Sequence, residues 1–336
     1  MTKPASISYA FMFVLLVLVW WLHLATPLIT ALFSYLALTK LNFGPTKWTT
    51  VGLFVILVLG VTYGFIFFIG QAVVAVPKIA ALTIPAAIDF AQQHGMELPF
   101  DDVEGLKTVI LNSVKGKLSE LGHYAGAILR EAAFLIMGMV VAAGLFMNAR
   151  FDLEHESRSP RNNLYALTGA EIGARFRVFF GSFSTVLGAQ VLISAINTTL
   201  TAVFLLCVHL PYTTVLIGIT FLCGLIPIVG NVISNTIVVG LALTVSPELA
   251  VAALIFLVVL HKLEYFLNSK IIGGRIKNPM WLTLLGLILG ERLMGVPGMI
   301  LAPVILHYIK VEATQRVVTD PGPPARAPEP ETTDVA

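Results

Sequence analysis

Apolar residues run through this chain in blocks too long for the helices of a soluble core. Residues 5–39 and residues 48–76 carry no formal charge. Between residues 179 and 260 the single charged side chain is Glu248. Residues 132–149 form a shorter block, and residues 279–309 a last one whose only formal charges are the neighbours Glu291 and Arg292. Crossing about 30 Å of hydrocarbon takes roughly 20 apolar helical residues. The first block therefore predicts two short helices with a break at Pro27, the second one long span, and the third a span extended by the residues before it. The fourth has room for about four passes at the usual helix length. The expectation is an all-α integral membrane protein of about eight transmembrane helices, some broken or re-entrant.

The polar segments divide the chain. Residues 1–76 form an N-terminal transmembrane part. Within residues 77–124, Val103, Leu106, Ile110, Val114, Leu118 and Leu121 recur at helical spacing, and Asp101 or Asp102 can cap the start. That reads as an amphipathic helical insert outside the bilayer, serving as a solvated spacer or as a lid or assembly surface. Residues 125–313 form a transmembrane core interrupted by a charged loop at 150–177. Residues 314–336, rich in proline, cannot bury a core and read as a disordered tail. Lysine and arginine in the short loops fit one alternating arrangement with both termini in the cytoplasm and the insert outside.

Composition agrees. Of 336 residues, 57% are hydrophobic and 12% charged, and the mean hydropathy is +0.88. So few charges cannot cover a soluble protein of this size, which leaves the lipid bilayer as solvent. A net charge of +2 gives no reason to expect a nucleic-acid partner. Cys207 and Cys223 sit in apolar runs and read as filler. The sequence contains no His-Glu-x-x-His, no glycine-rich phosphate loop, no cysteine pair at metal spacing and no Gly-x-Ser-x-Gly turn. The expectation is a protein that is not an enzyme, holds no cofactor or metal, and drives no transport with ATP.

Polar groups stranded in lipid must find partners inside the protein, so they are where function is sought. Gln190, Ser194, Asn197 and Thr201 follow i, i+4, i+7, i+11 spacing and share one helix face. They either line a cavity or pack against another polar face, and Gly181 and Gly188 favour packing at that end. In "GLIPIVGNVISN" (residues 224–235), Pro227 and Gly230 predict a broken helix or re-entrant hairpin. Asn231 is placed to cap the helix that follows, with Asn235 one turn on. In residues 261–281, Glu264 and Asn268 share a face, with His261 one turn back. That carboxylate binds a cation, carries a proton, or pairs with Lys262 or Lys270. Gly295, Pro297 and Gly298 predict a tight turn, at an exposed loop or a re-entrant tip. Ser246, Pro247 and Glu248 read as a capped helix start.

Taken in order, "GAQVLISAINTTL", "LIPIVGNVISN", "LEYFLNSKIIGGRIKNPMWL" and "GVPGMILAPVIL" resemble the autoinducer-2 exporter family. The resemblance is carried by Gln190 after a glycine, Pro227 with Gly230, Glu264 with Asn268, Asn278 with Pro279, and Gly295 with Gly298 and Pro303. It covers residues 5–313 and is specific in the second half. It implies about eight spans with a protruding helical insert, an oligomer, and a secondary transporter or permease in a bacterial inner membrane. The cargo it implies is a small polar solute such as autoinducer-2; for some relatives it is a monovalent cation exchanged for protons. A membrane scaffold that carries nothing is the reading from another class. On the transporter reading, the path runs between the Gln190–Thr201 stripe, Asn231 with Asn235, and the Glu264–Asn268 face, with Glu264 sensitive to proton or cation.

Overall fold

The computed structural model describes residues 2–44, 46–95, 125–148, 163–226, 229–271 and 279–315, and all the elements they form are helical. In chain order these are α1 (Lys3–Trp21), α2 (Ala25–Lys40), α3 (Lys47–Gln93), α4 (Ala125–Met147), α5 (Leu164–Cys207), α6 (Thr213–Gly224), α7 (Val229–Leu243), α8 (Pro247–Ile271) and α9 (Met280–Thr314). Five of them, α1, α3, α4, α5 and α9, are long and apolar enough to cross a membrane. Side chains such as Ile56, Leu59, Val61 and Val140 stand exposed along them. Only lipid can solvate such a surface over these lengths. The Asp101 or Asp102 cap, most of the charged loop and the proline-rich tail lie outside the described residues.

Helix starts follow the local chemistry. Thr46 accepts from the Thr49 amide at 3.3 Å, Asn163 from Ala166 at 2.7 Å, and Ser246 from Leu249 at 3.1 Å. The first break does not fall at Pro27. The chain turns at Leu22–Leu24, where His23 takes a positive φ of 53°. Pro27 sits in the first turn of α2, where its missing N–H breaks no intrahelical bond. There it is buried against α4: a Cβ on Gly138 would come within 2.7 Å of the Pro27 carbonyl. Helix α3 runs on through Pro77 and Pro85. At 1.5 Å per residue its 47 residues reach about 70 Å, so its last turns extend beyond any single bilayer crossing.

Helix α5 organises the rest. Its 44 residues are about 66 Å long, and two sets of helices pack along it in series. Phe179, Phe183 and Leu187 meet Met12 of α1 and Val304 and Tyr308 of α9. Farther on, Leu205 joins a core with Val215, Leu216, Val238, Leu241, Ala253 and Leu257 of α6–α8, to which α3 adds Ala75 and Ile79. Gly181 and Gly188 do not mediate close packing, since a Cβ at either would meet nothing within 4 Å. Close approach occurs instead at Gly218 against Phe68, Gly224 against Ser194, and Gly240 against Thr83.

At the charged end of α5 a polar knot ties three helices. Arg175 bonds both Glu312 oxygens at 3.0 and 3.2 Å and Glu171 at 2.7 Å, while Tyr9 donates to Glu312 at 2.6 Å. The guanidinium lies over the Tyr9 ring, 4.5 Å from its centroid. The start of α1 and the end of α9 are thereby fixed to one face of the molecule.

Helix α9 is two helices joined at Gly295, whose φ of 63° and ψ of −148° no L-residue adopts without strain. The arms, about 22 and 28 Å long, fold back on each other through Gly290 and Gly298. Pro303 lies inside the second arm. Glu291 and Arg292 are exposed beside the turn.

Two outcomes follow. Gly298→Leu, which would drive a side chain into the Gly290 carbonyl, should destabilise the protein in detergent by about 1–3 kcal/mol, while Gly188→Leu leaves the melting temperature near wild type. Arg175→Ala, which strands buried Glu312, should cost about 3–5 kcal/mol; the double change Arg175→Met, Glu312→Leu should cost less than the single, as read by a denaturation midpoint.

Candidate functional site

Helices α6 and α7 form a re-entrant hairpin. At 12 and 15 residues they are about 18 and 22 Å long, short of the hydrocarbon thickness. Both therefore end inside the apolar layer, α6 at Gly224 and α7 at Val229. A helix ending in lipid leaves carbonyls without water. Two members of the polar stripe supply the donors. Gln190 Nε2 donates to the Gly224 carbonyl at 2.6 Å, and Ser194 Oγ to the Phe221 carbonyl at 2.8 Å. Gly224 is required at this contact, since a Cβ would come 2.5 Å from Ser194 Oγ. Gly230 packs on the Cys223 carbonyl across the hairpin, with no space for a Cβ. Pro227 lies outside the described residues.

Beside this tip, α5, α6, α7 and α8 enclose a cleft lined by Asn197, Thr220, Asn231, Ser234, Asn235, His261, Glu264 and the apolar pair Leu257 and Leu260. Its empty space is about 270 Å³ including an open mouth. Glu264 is its centre. Its Oε2 accepts from Asn231 Nδ2 at 2.7 Å and from Asn197 Nδ2 at 3.3 Å, and His261 Nδ1 stands 3.8 Å away. One carboxylate thus joins α5, α7 and α8.

The stripe on α5 divides in two. Gln190 and Ser194 spend their polar groups on the backbone of α6, and only Asn197 lines the cleft. Thr201 is fully buried, and its hydroxyl finds no hydrogen-bond partner among the described residues. Asn231 is not the cap of α7. The helix begins two residues earlier, and the side chain reaches sideways to Glu264, because an acceptor in lipid draws the nearest amide donor. Asn235 lines the cleft one turn along. Asn268 falls on the backbone of α8, but its side chain lies outside the described residues, as do Lys270 and Asn278.

Thr220 and Ser234 were not singled out from the sequence. Threonines in apolar helices ordinarily bond their own carbonyl four residues back, as Thr185, Thr199 and Thr236 do here. Thr220 does not: among the described residues its buried hydroxyl has no partner, and neither has Asn197 Oδ1. Buried polar atoms left unpaired are uncommon and point to something that binds them. Among the described residues, no group of three or more His, Cys, Asp or Glu side chains could hold a metal ion.

A bundle of apolar helices, one hairpin ending within the bilayer and a small polar cleft at that ending define a membrane transport protein of the broken-helix kind. The chain belongs to the AI-2E family: the model described as "AI-2E family transporter" matches residues 7–316, nearly the whole length. It is also similar to the Bacillus subtilis (strain 168) protein named "Putative transport protein YdbI", at 27% identity over 195 residues. That match covers 55% of this chain and 56% of the relative.

Replacing Gln190 by Leu removes the donor to Gly224 and leaves that carbonyl unpaired. The expected result is a loss of about 1–3 kcal/mol in stability measured by SDS unfolding, with Gln190→Asn intermediate and Thr199→Val, on the exposed face, near neutral.

Proposed function

We propose that this protein is a secondary transporter of the autoinducer-2 exporter type, carrying a small polar solute across a bacterial inner membrane. The observation that carries the reading is the cleft at the hairpin tip. Two buried acceptors, Asn197 Oδ1 and Thr220 Oγ1, lie without partners among the described residues beside one carboxylate and one imidazole. A solute bearing hydroxyl or amide donors satisfies them, and Glu264 responds to protons or a monovalent cation. Family membership and the name of the Bacillus relative support the transport class. The face holding Lys3, Arg175 and Glu312 is placed in the cytoplasm, because arginine and lysine gather in the loops there. Both termini then lie inside. The protein acts as a homo-oligomer on this reading, as the family resemblance implies.

Monovalent cation/proton antiport is the second reading, favoured by Glu264 as the lone carboxylate of the cleft. Proteoliposomes separate the two. Autoinducer-2 efflux from loaded vesicles should fall about tenfold in Asn197→Ala and be nearly abolished in Glu264→Gln, while a sodium jump leaves internal pH unchanged. Dye-reported proton movement on the sodium jump, with no solute flux, would establish antiport instead. Wild-type rates in both variants would exclude this cleft as the path.

A further inference from the structure

The carboxylate at the centre of the cleft is largely shut away from solvent, while its neighbour is not. The Glu264 side chain is 13% exposed and that of His261 66%. They lie one turn apart on α8, and both line the cleft. His261 is the fifteenth residue of α8, about 21 Å along a helix whose first fourteen residues are apolar apart from Glu248. The helix continues ten residues beyond it, about 15 Å, toward the face assigned to the cytoplasm. A long lysine such as Lys262 can lift its ammonium along the helix to water. An imidazole cannot reach that far. The apolar neighbours on the same helix, Leu254 and Val258, are also exposed and face lipid, so the open mouth of the cleft that His261 lines is where water meets the ring.

We infer that His261 is the proton relay between the open mouth of the cleft and the enclosed Glu264. The 3.8 Å gap is a little longer than a direct hydrogen bond, and a small turn of the imidazole closes it. In the transfer, the Nδ1–H bond of an imidazolium breaks and its proton passes to Glu264 Oε2. Imidazolium and carboxylate become neutral imidazole and carboxylic acid, and the imidazole is recharged from solvent. Among the described residues, the other elements lining the cleft present no competing titratable group to Glu264. Asn197 faces it from α5, Thr220 from α6, and Asn231, Ser234 and Asn235 from α7. On α8, Lys262 is exposed and does not line the cleft. The proton arrives at the atom that accepts from Asn197 and Asn231, so its arrival weakens the tie between α5, α7 and α8. The relay thus regulates the same cleft and rests on its assignment as the path.

A relay alters rates, whereas a merely structural or electrostatic role alters midpoints or folding. The test is a pH jump on the full chain in lipid nanodiscs, followed by time-resolved infrared spectroscopy. The carbonyl stretch of protonated Glu264 is identified as the band missing in Glu264→Gln. In His261→Gln and His261→Ala the band should still form, but about a hundredfold more slowly. Free imidazole in the buffer should restore the rate of His261→Ala. If the alanine variant aggregates on size exclusion, the glutamine variant carries the rate comparison. Unchanged rates, or a shifted midpoint with unchanged rates, would overturn the relay. No solute is present in this measurement, so absence of autoinducer-2 flux would refute the transport reading and leave the relay standing. Slow protonation in the His261 variants with wild-type flux would overturn the claim that the relay regulates transport.

Discussion

A helix that stops inside a bilayer exposes carbonyls to a medium that offers no hydrogen bonds, and this structure is arranged around meeting that demand. The last carbonyls of α6 are claimed by Gln190 and Ser194 from α5. Because those donors sit on a helix about 66 Å long, the hairpin tip is held at a fixed depth and rotation. Gly224 and Gly230 remove the side chains that would keep backbone from backbone. Once the tip is fixed, the face of α7 carrying Asn231, Ser234 and Asn235 must turn toward α8, and the cleft exists.

The same long helix serves two purposes that call for opposite chemistry. Its charged end is locked to α1 and α9 by Arg175, Glu312 and Tyr9, and aromatic side chains fill the space next to that knot. Its far end is packed with aliphatic residues against α6–α8. Between them the polar stripe changes role along its length, from backbone donor at Gln190 and Ser194 to cleft lining at Asn197. A carboxylate placed there is surrounded by amides rather than by a lysine or arginine. Its hydrogen-bond partners are neutral amides, whereas Glu312 is held by the Arg175 guanidinium. That distinction separates Glu264, set among amides beside the hairpin tip, from Glu312, paired with an arginine at the charged end of α5.

Much of this was legible in the sequence. Charge-free blocks of more than 20 residues state the solvent, and glycine and proline mark the places where helices must stop. The i, i+4, i+7 run picks out one face of α5, and Glu264 stands out as a charge with few neighbours. The reading failed where a signal has two meanings. Pro27 looked like a breaker but lies in a first turn, where proline is harmless. Gly181 and Gly188 looked like packing sites and face open space. Thr220 carried no signal at all, because a threonine in an apolar helix ordinarily bonds its own backbone.

The sequence by itself determined the class of protein, the helical state of every spanning segment and the short list of polar groups that had to find partners. These are properties of individual residues in lipid, where an unpaired backbone is prohibitive. Only the tertiary structure decided which partner each group took: Gln190 the end of α6, Asn231 the carboxylate on α8, Tyr9 a glutamate 303 residues away. Hydrogen bonds are short and directional, so pairing depends on where helices far apart in sequence come to lie, and periodicity along a single helix carries no record of that.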